Sequence, residues 1–374
     1  MATTNFAALT SEQYTVWSKD WWREARNKTF VMAFAGSSSE SMIQRITELS
    51  TTNDGARAVI TLVNDAVGDG VVGDNTLLGN EEALRSTDCV ITLDQWRAAH
   101  RSQGRMAEQK SVVKFREQAR DKLSYTAARV MDELAFLTLS GVSYAYKTNG
   151  AARVGSQLSL LAFGANVTTP SSNRHVRWVG SSKTLAAGDT TAVAAGDTPS
   201  WEMLVSLKAL AVNRYIRPIR SEDGVEMYNV FMTPDGIATL KKDANFLAAW
   251  QHAQKRGDDN PLFTGTAHGG KKGIYIDGLN ILEYRNVFNT SGLSSGSRWG
   301  SGGTVNGQRV LLCGAQALAF ADIGDAGWDE EEYDYGNQNG IATRKIMGLL
   351  KPVLYSTTAG SQQDFGVLCC DTAV

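Results

Sequence analysis

The segment Gly68–Met106, GDGVVGDNTLLGNEEALRSTDCVITLDQWRAAHRSQGRM, limits what this chain can become more than any other. Two β-like runs, Ala56–Asn64 and Cys89–Trp96, flank a tip rich in glycine and acid. In the second run Cys89, Ile91 and Leu93 alternate with Val90, Thr92 and Asp94, so the two sets point to opposite faces. The first run is more uniformly apolar, through Val59, Ile60, Leu62 and Val63. Pairing them makes a long two-stranded arm closed by roughly twenty residues, far beyond the usual hairpin loop. An isolated two-stranded hairpin is at best marginal in water. The arm must therefore be buried against something, and its tip has no local core. A second copy of the chain is the expected cover, which points to assembly rather than catalysis.

Charge narrows the partners. Lys plus Arg number 37 against 39 Asp plus Glu, a net charge of -2. Tight non-specific DNA binding needs a cationic surplus that neutralises phosphates and releases counterions, and this chain has none. A nucleic acid nearby is expected to be enclosed rather than gripped. No apolar run of about twenty residues spans a membrane. The opening MATTNFAALTSEQ lacks the basic start and apolar stretch of a secretion signal. Four Cys without a C-x-x-C pair predict a reducing compartment and no zinc site. Cys369 and Cys370 read as neighbours on opposite faces of a terminal strand.

Along the chain, a helix is expected from about Ser11 to Phe34, opened by Thr10 with Gln13 in capping-box form. Its apolar stripe includes Val16, Trp17 and Trp21; with Trp22 it carries three Trp, either docked on their own domain or laid across a neighbouring subunit. The longest element is a helix from Met106 to about Ser140, free of Gly and Pro and about 50 Å long. Val112, Phe115, Ala119, Leu123, Ala127, Val130, Leu134 and Leu137 form one face without strict heptad spacing, which favours a spine packed on a sheet over a coiled coil. Residues 150–200, with AAGDT twice, read as a loop-rich insertion. Beyond it come a helix opened by Pro199 and reaching about Tyr215, a strand Met227–Met232, a helix opened by Thr233-Pro234-Asp235 and another over Asn245–Arg256. Strands follow near 273–276, 279–285, 310–313, 330–335, 341–350 and 365–370. Mixed elements without βαβ regularity indicate an α+β chain.

The search for chemistry yields little. Gly265-x4-Gly270-Lys271 nearly spells a phosphate-binding loop, but Lys272 stands where a magnesium-binding Ser or Thr belongs and a strand follows instead of a helix. The tip acids Asp69, Asp74, Glu81 and Glu82 lack EF-hand spacing. His100, His175, His252 and His268 are unpaired at metal-ligand spacing and read as structural. No catalytic residue, cofactor or metal is expected. One alternative is a carbohydrate-binding or adhesin-type protein, resting on nine Trp and on Trp299 in the Ser291–Gly303 loop, which reads as exposed.

GDGVVGDNTLLGNEEAL, SQGRMAEQ and the long helix together resemble the major capsid proteins of tailed bacteriophages, in particular the N4-like family. So do Pro170–His175, Val230–Asp235, the NPxFTG-type turn Asn260–Gly265, Leu312–Ala317, Tyr333–Asn337 and Phe365–Val367, in the family's order and over nearly the whole chain from about residue 30. Leu78 departs where an acid is expected, and the Ala186–Thr198 repeat is a local elaboration. The resemblance implies the capsid fold shared by tailed phages and the herpesvirus capsid floor. Its parts would be an N-terminal arm over 1–42 and an extended loop over 43–105 with its tip at about 68–82. A peripheral domain over 106–199 would hold the spine helix 106–140, with an axial domain over 200–320 and C-terminal strands 321–374 returning to the peripheral domain.

The implied function is a structural one, self-assembly of hexamers and pentamers into an icosahedral shell around double-stranded DNA, with no sequence-specific binding. The expected partners are other copies of the chain, a separate scaffolding protein, a portal and a cement protein. Assembly is expected in the host bacterial cytoplasm and residence in the virion capsid. Gly70, Gly73 and Gly79 would permit the tip's turns, while Asp69, Asp74, Asn80, Glu81 and Glu82 would meet a neighbouring subunit. Trp17, Trp21 and Trp22 would form the contact of the N-terminal arm.

Overall fold

Two sheets share one long helix. The computed structural model describes residues 11–47, 57–63, 70–81, 86–110, 115–220, 224–253, 273–356 and 360–374. A five-stranded sheet has the order β1 (Ala35–Gly36), β2 (Ile43–Ile46), β13 (Leu318–Tyr333), β14 (Gln338–Leu350), β5 (Asp94–Arg101). β2 lies parallel to β13, with Ile43 opposite Leu318, and β14 is antiparallel to both β13 and β5. The larger sheet has the order β10 (Ile274–Ile276), β11 (Leu279–Glu283), β9 (Glu226–Met232), β12 (Gly307–Cys313), β17 (Val367–Ala373), β6 (His175–Val179), β7 (Thr184–Ala187), and β8 (Ile219–Arg220) pairs with β9. Two strand pairs stand apart, β3 (Arg57–Val63) with β4 (Ser86–Thr92) and β15 (Val353–Ser356) with β16 (Ser361–Asp364).

The helices are α1 (Ser11–Lys28), α2 (Arg105–Lys110), α3 (Phe115–Ser140), α4 (Trp201–Asn213), α5 (Pro234–Lys242) and α6 (Ala244–Ala253). The expected helix over Met106–Ser140 is thus seen as α2 and α3, with 111–114 outside the described residues. Its stripe is buried as its spacing requires, at Ala119, Leu123, Ala127, Val130, Leu134 and Leu137. Beyond Ala127 burial extends around almost the whole circumference, including Asp132, Glu133, Thr138 and Ser140, because both sheets and the N-terminal segment enclose that end. Polar groups so placed need partners. Thr138 Oγ1 donates to the Leu134 carbonyl at 2.8 Å. Asp132 accepts the backbone N–H of Val31 at 2.9 Å and of Phe30 at 3.1 Å, and the Tyr284 hydroxyl besides. The helix stops at Gly141, whose φ is 66°. A Cβ there would lie 2.5 Å from the Thr168 carbonyl oxygen, so the turn admits only glycine.

The larger sheet separates two cores, which makes its central strands buried on both faces. Met227, Phe231, Leu311, Cys313, Val367 and Cys369 face the core containing α1 and α3. Tyr228, Val230, Met232, Val310, Leu312, Leu368 and Cys370 face the core containing α4, α5 and α6. Strict alternation thus sends the adjacent Cys369 and Cys370 into different cores, as the strand reading expects. The capping chemistry of the helices is local. The Ser200 hydroxyl accepts from Met203 N at 3.3 Å, so α4 begins just past Pro199, and Thr233 Oγ1 accepts from Gly236 N at 3.1 Å ahead of α5.

Three expectations change. Residues 150–200 are less loose than their composition implies, since β6 lies inside the larger sheet, parallel to β17 with His175 opposite Cys369. The two AAGDT copies are turn anchors: Asp189 accepts from Thr191 N at 2.9 Å, and Asp197 accepts from Gly180 N and Ala194 N, each at 2.8 Å. The tail does not return as one unit either. β13 and β14 build the smaller sheet, but β17 pairs with β12 and β6 in the larger one, so strands cross the expected boundaries at 199 and 320.

Candidate intersubunit surfaces

The arm exists, in shorter form than its sequence suggests. β3 and β4 pair antiparallel from Arg57 opposite Thr92 to Val63 opposite Ser86. The run expected to reach Trp96 breaks at Leu93, and β5 then joins the smaller sheet instead. One face of the arm carries Ala58, Ile60, Leu62, Cys89, Ile91 and Leu93, and it is covered by Ala319, Ala321, Ile323 and Leu350 of the same chain. The expected cover by a second copy is therefore not needed for that face. The opposite face leaves Val59 and Val90 exposed, and Thr61 Oγ1 donates to Asp88 Oδ1 at 2.6 Å across the pair.

The tip is different. Residues 70–81 form turns without helix or strand. Gly70, Gly73 and Gly79 have φ of 70°, 68° and 89°, a region costly for other residues, and an added Cβ at any of them would meet nothing within 4 Å. The segment holds itself with Asn80 N to the Leu77 carbonyl at 2.9 Å, Asn80 Nδ2 to the Thr76 carbonyl at 2.9 Å and Gly79 N to Glu81 Oε2 at 2.7 Å. Asp74, Asn80 and Glu81 are all exposed, whereas Asp69 and Glu82 lie outside the described residues. Sequence reasoning fixed on the tip acids and missed its apolar side chains: Val72 is 79% exposed, Leu77 60% and Leu78 84%. All three apolar side chains are thus exposed in the single subunit.

The N-terminal Trp residues correct the expected arm contact. Trp21 is fully buried and Trp22 nearly so, both in the core shared with α3. Trp17 is packed 5.6 Å from the Trp328 ring, with the Arg120 guanidinium over its face. Lys28 Nζ reaches Ser124 Oγ on α3 at 3.0 Å. Helix α1 docks on its own chain, so these rings are not a surface offered to a neighbour. Its proposed capping residue Thr10 lies outside the described residues.

Other candidates resolve similarly. Trp299 is 8% exposed and packs with Val193, Val305 and Ala373, which removes the exposed aromatic on which the sugar-binding alternative rests. The near-miss phosphate loop Gly265–Lys271 lies outside the described residues, as do His268 and the NPxFTG turn. His175 is more than the filler its isolation in sequence suggests. Its Nε2 lies 2.7 Å from Asp371 Oδ2, and Asp371 also accepts from Arg309 Nε at 2.7 Å. Burial alone would raise the Asp371 carboxyl, but the Arg309 guanidinium and the His175 ring outweigh it and hold it below the usual carboxylate range. Arg309 Nη1 donates to the Ser140 carbonyl at 2.8 Å, satisfying the last turn of α3. This network joins helix and sheet and has the geometry of a fastening.

Comparison with known proteins gives these surfaces a setting. A family model described as phage capsid protein matches residues 5–374. The major capsid protein of Pseudomonas phage KPP25 is 53% identical over 367 residues, 98% of this chain and 96% of that protein. Among solved structures, the capsid of Ralstonia phage GP4 superposes with a TM-score of 0.72 at 24% identity, covering 100% of this chain and 95% of that one. The Cyanophage Pam1 capsid asymmetric unit gives 0.68 at 18% identity, covering 99% of each chain. The structures establish a shared fold, and the full-length family match and the 53% identical relative establish kinship. The chain belongs to the phage capsid protein family, and its role is that of a phage major capsid protein.

Proposed function

We propose that copies of this chain form hexamers and pentamers that close an icosahedral shell around the double-stranded DNA of a tailed phage, with the tip 70–81 as a principal contact between neighbours. The observation that carries this reading is the tip itself: apolar, acidic, built on left-handed glycines, and clear of its own chain. A standard protein interface buries about 1,600 Å² in total. Several such contacts per subunit act together, so modest individual affinities sum to a durable container. A net charge of -2 suits a wall that surrounds DNA and later lets it leave, because few counterions are released on contact.

The chain acts structurally and not as an enzyme in this reading. A separate scaffolding protein, a portal and a cement protein complete the particle, assembly takes place in the host bacterial cytoplasm, and the order of sequence blocks supports a place among N4-like capsids. Negative-stain electron microscopy of the chain expressed alone, and then with a scaffolding protein, tests the proposal. Closed shells or rings of five and six are expected; a monomer under both conditions would overturn it.

A further inference from the structure

Two arginines lie near each other at the end of α4, and the carboxylate beside Arg174 is already engaged. Arg174 closes the short helical turn Ser172–Arg174 that leads into β6, and Arg214 caps the C-terminal end of α4. The residues after Arg214 meet the turn ahead of β17. Ala315 N donates to the Arg217 carbonyl at 2.9 Å, Gly314 N donates to the Gly366 carbonyl at 2.8 Å, and the Arg217 guanidinium lies over the Phe365 ring. Arg174 reaches the same turn, its Nε donating to the Asp364 carbonyl at 3.0 Å. The Asp364 carboxylate itself serves Lys351 Nζ at 2.9 Å and Ser171 N at 3.2 Å. Arg174 is only 7% exposed. Burial, and then the like charge of Arg214, pull its guanidinium down to about 10, which leaves it charged at neutral pH. Burial lowers Arg214 as well, with no carboxylate to offset it. Nη1 of Arg174 and Nη1 of Arg214 are both shut off from solvent, and neither has a hydrogen-bond partner among the described residues. Buried charged nitrogens left unpaired are costly. The ordinary role of an arginine at a helix C-terminus, a tie to the last carbonyls, does not account for this Nη1.

We propose that Arg174 and Arg214 together form a binding site for a small free oxyanion of the phosphate type. Guanidinium forks hold such ions through paired, charge-assisted N–H groups, and the ion's charge cancels the repulsion between the two arginines. Arg214 is half-buried and no partner fixes its Nη1, so rotation of that side chain opens the way from solvent to Arg174. The same enclosure sets the class of ligand. A free tetrahedral ion passes behind a single side chain, whereas a phosphodiester carries a polymer on both sides and stays at the surface. Once bound, the ion fastens the end of α4 to the turns that precede β6 and β17.

Thermal unfolding of the full-length, unassembled chain in sodium phosphate, beside sodium chloride of equal ionic strength, tests the proposal. The wild type is expected to melt about 2 °C or more higher in phosphate, and Arg214→Gln is expected to lose that gain. In chloride alone Arg214→Gln should melt at or above the wild type, because one of two like charges is gone. Isothermal titration calorimetry should find saturable phosphate binding to the wild type and none to the variant. Equal gains in both proteins would be the general exclusion effect of phosphate and would overturn the site. A variant that melts well below the wild type in chloride would also overturn it, by making Arg214 a structural tie. Absence of saturable phosphate binding to the wild type overturns the proposal whatever the variant does. A gain from a short single-stranded oligonucleotide equal to that from phosphate would overturn the assignment to a free ion.

Discussion

Arg309 and Asp371 sit opposite each other on adjacent strands, and their side chains close a two-toothed ion pair, Nε to Oδ1 at 2.7 Å and Nη2 to Oδ2 at 3.2 Å. Because Arg309 also holds the Ser140 carbonyl, and Asp371 also holds His175, this one pair couples the end of α3 to three strands of the larger sheet, β12, β17 and β6. Removing one partner of a buried pair leaves the other charge uncompensated, at about 3–5 kcal/mol.

Asp371→Asn is accordingly expected to lower the unfolding free energy by about 3 kcal/mol or more in urea titrations at neutral pH. The sign of the acid dependence follows from the depressed carboxyl. Its stabilisation is complete above the unfolded-state value of about 3.9 and is lost as the pH falls through the lower native value. The variant's stability should therefore fall less steeply than the wild type's below about pH 4. An equally steep acid limb in both proteins would remove Asp371 from the account.

Trp21→Ala separates docking on the home core from docking on a neighbour. The side chain is fully buried within its own subunit, so the isolated chain should lose about 3–5 kcal/mol. Val16→Ala, at a position 57% exposed, should stay within about 0.5 kcal/mol. Chemical denaturation of unassembled protein measures both. An unchanged midpoint for Trp21→Ala would return the helix to a neighbouring subunit.

Gly307 faces the ring of Trp299 so closely that an added Cβ would lie 1.9 Å from its Cε3. Gly307→Ala must displace the ring, and overpacking of this kind costs about 1–3 kcal/mol. Differential scanning fluorimetry should show the loss. Tryptophan fluorescence of the wild type should be indifferent to added oligosaccharides, since the ring offers no open face; a saturable change would reinstate sugar binding.

At the tip the expected effects fall on assembly and spare folding. Gly79→Ala meets no steric obstacle but opposes a φ of 89°, a strain of about 1–2 kcal/mol that an exposed turn relieves by reshaping itself. The unfolding midpoint of the free chain should stay unchanged while shell yield falls. Alanine at both Glu81 and Glu82 should lower yield and heat resistance of the particles. If neither property moves, the carboxylates have no part in subunit contact.

The arm, α3 and the terminal strand were legible because each is written in local periodicity. Cys89, Ile91 and Leu93 alternate, Ala119 through Leu137 step by three and four, and Cys369 and Cys370 fall into opposite cores. Even the break after Leu93 has a signature in hindsight: the next buried residue is Trp96, so the parity of the buried set changes. β6 was missed because His175–Val179 is a strand only by virtue of Cys369–Asp371 beside it, a pairing that no window of neighbouring residues contains. Trp299 misled because a Gly- and Ser-rich loop reads as exposed, although the glycine at 307 makes room for the ring.

The position of β17 carries a consequence for the life of the chain on the ribosome. Residues 367–373 supply side chains to both principal cores and hydrogen bonds to β6 and β12. Neither core can be sealed while those residues are still inside the exit tunnel, so folding waits for β17 to emerge even though domains usually fold as they leave the ribosome. Products cut short before residue 367 retain the outward-facing tip but lack a finished body behind it. Emergence of β17 thereby acts as a gate, and each subunit that reaches a growing shell has been read through at least to residue 373.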